Sequence, residues 1–516
     1  MMAYKNNPVA ASSVRLVNLT VGILLLLAAG ASTLAIWSEA QYFFGDSVRY
    51  LRLAGDIWNV DEWTIGNRPM YALLVFWIGS LVDNFELGGR LVSLIAASLA
   101  VVPAYVLFRG SLPSAWAVTA AALFALNPVR SWSGQWILTE GVNLLLVLTA
   151  TALCFGPVSK RRWSCAAAGL FYAMAVLTRP ENVVYPMVAA ALLLFQRRRA
   201  DIGRRFVVFA VVLGAVLLPP TMVAGRQGAS FVSTAVTGLA DSDVNFSLRT
   251  NASAARISVG ADGDVETVGP DLTLEGVMHR YAYFASQLVS RIVYLSAPAL
   301  VAPVLLLLGW LSALAIARDG GIQRFNSSAW QIVLISRALV LPLFWIEDRY
   351  LLVLLPLTSF WIILGIRSIN KWIGTMWSRR SGQALALVLV VAVAASFASR
   401  LVAAKPAEDH YALEREAGRW LATSGQTPGL ILSMSPVLAY YAGMEHEWLP
   451  DGTPEAIYDW ACGRQVRYVV ADQSDFKTPL TESLISGSPP SEYLYIYSAM
   501  EGQRVLKLFA LKCVRG

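Results

Sequence analysis

Apolar runs long enough to cross a bilayer recur along most of this chain, and short basic patches separate them. A membrane-crossing helix needs about 20 mostly apolar residues. Reading for such runs between charged or Pro/Gly breaks gives about eleven candidate spans, with cores at 16–37, 88–108, 114–127, 138–155, 163–178, 183–196, 205–224, 292–317, 329–346, 350–366 and 384–402. A composition 56% hydrophobic and 15% charged over 516 residues lies outside the soluble globular range. The expected fold is therefore a polytopic α-helical membrane protein. The run Pro69 to Val82 is too short to span easily and reads as an interfacial or re-entrant helix.

Orientation follows from Lys and Arg placement. With the N-terminus inside, the inner loops 1–15, 109–113, 156–163, 197–205, 318–328 and 367–383 hold seventeen Lys and Arg against Asp201 and Asp319. That is a strong positive-inside signal. It puts the first external loop 38–87, the long external loop 225–291 and the tail 403–516 on the opposite, extracytoplasmic face of a cell inner or plasma membrane. The net charge of +7 is then topological, and no basic face with motif support points to nucleic acid. The first span resembles a signal h-region at Val21 to Leu27, but the apolar run continues to Trp37 and is expected to be retained.

The external pieces differ. Residues 225–291 interleave acids with Gly and Ser and read as a loop able to act as a lid. The tail alternates helix and strand patterns: helix 407–424, strand 429–434, helix 453–462, then strands 466–470, 493–497 and 505–511. It is expected to form a small α/β domain, 403–516, following a membrane module, 1–402. Cys462 and Cys513 lie in it, where an oxidising compartment permits either a bridge or two buried thiols. No CxxC or His/Cys metal spacing occurs.

The chemistry-bearing residues gather on the external side. Asp46 follows the first span in Gly45-Asp46-Ser47-Val48-Arg49-Tyr50, and its bland reading is a cap on a helix starting at Ser47. Glu140 opens the fourth span; Arg179 and Glu181 share one short turn; Arg349 and Tyr350 stand at the outer start of the tenth. His279, Arg280 and Tyr281 lie where the long loop re-enters the membrane. Arg130 flanks the second outer loop with Trp132 and Trp136, which read as interface anchors. Arg337 falls mid-span, where a charge needs a buried partner or a cavity.

In order and common side, these segments resemble the GT-C glycosyltransferases, the superfamily of protein O-mannosyltransferases and aminoarabinose transferases that use polyprenyl-phosphate sugars. The resemblance rests on GDSVRYLRLA (45–54), the run 88–109, Leu138-Thr139-Glu140, Leu177-Thr178-Arg179-Pro180-Glu181, Arg349-Tyr350-Leu351-Leu352 before Pro356, and the tail segments 439–443 and 466–470. It implies a GT-C-like fold and inverting transfer of a glycosyl group from a polyprenyl-phosphate donor to an envelope lipid, glycan or protein acceptor outside the membrane. Asp46 would be the catalytic base. Arg179, Arg349, Glu140, Glu181, His279, Arg280, Tyr281 and Tyr350 would bind substrate. Many members carry Asp-Glu in the first loop where this chain has Asp46-Ser47, so no cofactor is assigned and a divalent metal is left open. The alternative class is a transporter or flippase of lipid-linked saccharides, but no internal repeat of the kind such proteins show is visible.

Overall fold

A computed structural model describes residues 8–37, 43–59, 63, 67–161, 163–195, 202–226, 257–259, 265–267, 274–296, 302–318, 322–340, 348–403, 411–450, 453–473, 479–486 and 489–513. The chain divides into two compact units. One comprises 1–39, 50–235 and 281–406; the other comprises 40–49, 236–280 and 407–516.

The first unit is helical: α1 (Pro8–Leu34), α2 (Gly45–Gly55, only its C-terminal part), α3 (Pro69–Val82), α4 (Phe85–Leu99), α5 (Val101–Ser111), α6 (Ser114–Ala125), α7 (Pro128–Ser133), α8 (Glu140–Phe155), α9 (Ser164–Thr178), α10 (Val184–Phe195) and α11 (Ile202–Arg226). Then follow α12 (Leu274–Ser296, only from Tyr281 onward), α13 (Ala302–Arg318), α14 (Ile322–Val340), a 3-10 turn Asp348–Leu354, α15 (Leu355–Met376) and α16 (Arg379–Ala403). Among the described residues five stretches are long and apolar enough to cross a membrane: Val17–Leu34, Phe85–Ser111, Gly203–Val223, Arg349–Met376 and Arg379–Ala403. Six further apolar helices, among them Pro69–Val82, Ser114–Ala125 and Glu140–Phe155, are shorter. At about 1.5 Å per residue, the 16-residue Glu140–Phe155 helix is shorter than a hydrocarbon core of about 30 Å.

Two sequence expectations are corrected. The span at 292–317 is two helices, α12 and α13. The loop 225–291 contains most of α12, together with a hairpin of β1 (Ile257–Val259) and β2 (Val265–Thr267). Helix α12 carries His279, Arg280, Gln287 and Arg291, and this polar content hid it from a search for apolar runs. The acids Asp241, Asp243, Asp262, Asp264 and Asp271 of that loop lie outside the described residues.

Small residues let the helices approach. A Cβ on Gly365 of α15 would stand 2.4 Å from the Leu305 carbonyl, and one on Gly309 of α13 would stand 1.8 Å from that of Trp361. Buried Arg130 crosslinks the bundle, and among the described residues it does so without a carboxylate: it donates to the carbonyls of Ala29 (2.9 Å) and Ala125 (2.6 Å) and to Ser32 Oγ (2.6 Å). Each donation satisfies a backbone or hydroxyl oxygen that water cannot reach.

In the second unit, β3 (Leu430–Ser433), β4 (His446–Trp448), β5 (Val466–Asp472), β6 (Tyr493–Glu501) and β7 (Arg504–Leu511) form one sheet in the order β4-β3-β5-β7-β6. β3 runs parallel to β4 and β5; β7 runs antiparallel to β5 and β6. α17 (Ala412–Thr423) and α18 (Val437–Ala442) contribute to one core, with Leu413, Leu421 and Leu438; α19 (Pro454–Gly463) and α20 (Pro479–Ser486) contribute to a second, with Ile457 and Leu484. Cys462 and Cys513 form a disulfide across 51 residues, with Cα atoms 5.5 Å apart. Inside this unit Arg504 pairs with both Asp472 and Glu414, the latter at 2.9 Å. Burial pushes the Glu414 carboxyl up to about 7 although Arg504 opposes the shift.

Candidate functional site

Two local rules bring the site residues of the first unit together. Helix α9 ends at Thr178, and Arg179 before Pro180 is held extended (φ −153°, ψ 115°), because an α conformation would clash with the proline ring. The following 3-10 turn, Pro180–Val183, presents Glu181 and Asn182 beside Arg179. Glu140 and Asn143 are three apart at the start of α8 and so share a face.

These side chains converge in a buried network. Arg179 donates from Nη1 to Glu140 Oε1 at 2.7 Å and from Nε to Glu181 Oε1 at 2.6 Å. Arg337 donates from Nη1 to Asn182 Oδ1 at 2.6 Å and reaches Glu181 Oε1 at 3.2 Å, so the mid-span arginine has its buried partner. Asn182 in turn donates to Asn143 Oδ1 at 2.7 Å. Arg349 approaches Glu140 Oε1 at 3.9 Å and donates to the Tyr350 hydroxyl at 3.3 Å. The Tyr350 ring has Arg179 4.4 Å and Arg349 5.1 Å from its centroid. Arg68 hydrogen-bonds the Tyr50 hydroxyl at 2.5 Å and adds to the positive field at Glu181.

Charge is the informative quantity. Arg179, Glu140 and Arg337 are 4%, 3% and 2% exposed, so their charges are largely removed from water. Among the described residues Arg179, Arg337 and Arg349 gather around the carboxylates of Glu140 and Glu181, and Arg68 adds to the positive field at Glu181. Arginine keeps its proton even when buried. Several N–H donors in forked geometry suit the oxygens of a phosphate. Among the described residues no group of three or more His, Cys, Asp or Glu converges as metal ligands.

The structure thus brings together Glu140, Arg179, Glu181, Arg349 and Tyr350. Among the described residues Tyr281 is not part of this network. His279 is exposed on α12, the side chain of Arg280 lies outside the described residues, and the Tyr281 hydroxyl donates to the Leu339 carbonyl at 3.3 Å. Asp46 is half-buried in the first turn of α2, which begins at Gly45 rather than Ser47. Ser47 Oγ accepts from the Phe44 amide at 3.0 Å, so a cap contact belongs to Ser47, while a carboxylate at Asp46 also suits the positive helix start. Trp132 and Trp136 are half-buried. Sequence reasoning missed Arg68, Tyr50, Asn143 and Asn182; the spacing of Asn143 from Glu140, and of Asn182 from Arg179, was the available signal.

The chain is similar to known proteins in part of its sequence and in its fold. Residues 67–223, which contain Glu140, Arg179 and Glu181, match the family model described as dolichyl-phosphate-mannose-protein mannosyltransferase. No curated protein matches in sequence. The oligosaccharyltransferase AglB from Archaeoglobus fulgidus, solved with an inhibitory peptide and a dolichol-phosphate, superposes with a TM-score of 0.61 at 14% identity, over 93% of this chain and 80% of that one. ArnT from Cupriavidus metallidurans superposes at 0.57 in the apo state (13% identity; 97% and 98% covered) and at 0.51 bound to undecaprenyl phosphate (11%; 96% and 98%). In fold, then, this chain is similar to AglB and ArnT, the kind of fold that its sequence resemblance implied.

Proposed function

We propose that the chain transfers a glycosyl group from a polyprenyl-phosphate-linked sugar to an acceptor on the extracytoplasmic face of the membrane, with inversion. The convergence of guanidinium groups from three segments around Glu140 and Glu181 carries this reading. It is suited to a leaving group that departs as a phosphate and so needs cationic stabilisation rather than a general acid. Asp46 takes the acceptor's proton as the new C1–oxygen bond forms and the C1–O bond to phosphate breaks. The electron pair leaves with the polyprenyl phosphate. Arg349, whose contact with Glu140 is the longest in the network, meets that phosphate, and Arg179 holds the Tyr350 ring and Glu140 in place. Support comes also from AglB and ArnT, whose structures hold dolichol-phosphate and undecaprenyl phosphate.

Incubating the purified chain with a panel of polyprenyl-phosphate sugars tests the class of activity. Release of free polyprenyl phosphate is expected for one of them. Movement of the intact lipid-linked sugar across vesicles without cleavage would favour a flippase instead. A phosphatase fused after Val514 should be active, placing the tail outside; a dark phosphatase would invert the topology.

A further inference from the structure

At the end of α15 farthest from Arg349, a groove of about 700 Å³ opens between α6, α15 and α16. Its lining carries Lys371 and Arg379 at one end and Leu387 and Val390 at the other, with Trp116 on the α6 side. Arg379, Gln383, Leu387 and Val390 recur at helical spacing, so one face of α16 grades from cation to apolar over about 16 Å. No Asp or Glu occurs between Asp348 and Glu408, and none lines the groove. The close helix pair that forms it is fixed by Gly382, where a Cβ would stand 2.5 Å from the Asn370 carbonyl. Trp372 and Trp377, 60% and 78% exposed, flank it as interface aromatics do.

We propose that this groove seats one anionic glycerophospholipid, its phosphate at Lys371 and Arg379 and an acyl chain along Leu387 and Val390. Such a lipid is not the sugar donor. Arg349 and Met376 end one 28-residue stretch, about 40 Å at the helical rise, so the groove opens in the opposite leaflet from the arginine network. The Lys and Arg bias makes that leaflet the cytoplasmic one, where anionic headgroups attract basic segments.

Native mass spectrometry of the purified full chain, titrated with phosphatidylglycerol or chain-matched phosphatidylcholine, tests the site independently of any transferase activity. Phosphatidylglycerol should be retained in preference. The double variant Lys371→Ala/Arg379→Ala should weaken its retention roughly thirtyfold, each cation at an anionic surface being worth about fivefold. Arg367→Ala/Arg380→Ala, which removes two nearby cations outside the groove lining, should have a much smaller effect. Equal retention of the two lipids, or equal losses from the two double variants, would overturn the proposal and leave diffuse surface attraction. Displacement by glycerol 3-phosphate at matched concentration would also overturn it, since the acyl groove would then contribute nothing.

Discussion

Arg504 in the sheet-bearing unit pairs with two carboxylates, whereas in the helical unit Arg179, Arg337 and Arg349 gather around two. Both clusters are largely removed from water, where an uncompensated charge costs several kcal/mol. In the sheet-bearing unit a carboxylate can protonate, and burial pushes Glu414 up to about 7. The guanidinium groups of the helical unit cannot adjust in that way, because arginine stays charged. One cluster can change its charge with pH; the other keeps it.

The largest expected effect breaks the chemistry and leaves both clusters standing. Asp46→Asn should lower the transfer rate by about 10²- to 10⁴-fold, the usual cost of losing a general base. Donor binding and membrane insertion should persist, as measured by single-turnover assay and lipid binding. Near wild-type turnover would move the base to Glu39, Asp56, Asp61 or Glu62.

Arg179→Ala acts on stability instead. It strips the closest cation from Glu140 and Glu181, and removing one partner of a buried pair costs about 3–5 kcal/mol. A drop in detergent melting temperature larger than that of Arg349→Ala would check it. Replacing both bridged cysteines by Ser should cost about 2–5 kcal/mol. The loss should fall on the sheet-bearing unit alone, read as faster amide exchange within residues 453–513 while the arginine network keeps its protection.

The smallest effect is a pH slope. Glu414 binds its proton more tightly when folded (about 7) than when unfolded (about 4.5), so its contribution is greatest below about pH 4.5 and is lost as pH rises through about 7. Exchange of the α17 amides in the full chain should quicken across that window, and Glu414→Gln should flatten the change.

How much of this was legible in the sequence differs between the same two regions. The short runs at 429–434, 466–470, 493–497 and 505–511, rich in apolar and aromatic residues, marked four strands of the sheet. The strand His446–Trp448, three residues long, is too short to show such a run. In the helical unit the membrane character was plain, but helix ends were not: packed helices such as Ser164–Thr178 fall short of a full span, and α12 carries too many polar residues to look like a membrane helix. Glu140, Arg179, Glu181, Arg349 and Tyr350 could each be nominated from local context. Their convergence, and the entry of Asn182, depends on tertiary packing between segments from 39 to 209 residues apart. Local patterns carry no trace of it.

The central claim is that the arginine network is built for a lipid-linked phosphate. Its most direct test is binding of undecaprenyl phosphate to the purified chain, followed by thermal stabilisation and compared with undecaprenol of the same length. The phosphate should stabilise and the alcohol should not, and Arg349→Ala should weaken phosphate binding by roughly ten- to a hundredfold, the range for a hydrogen bond to a charged group. Equal stabilisation by alcohol and phosphate, or unchanged binding in Arg349→Ala, would contradict the account.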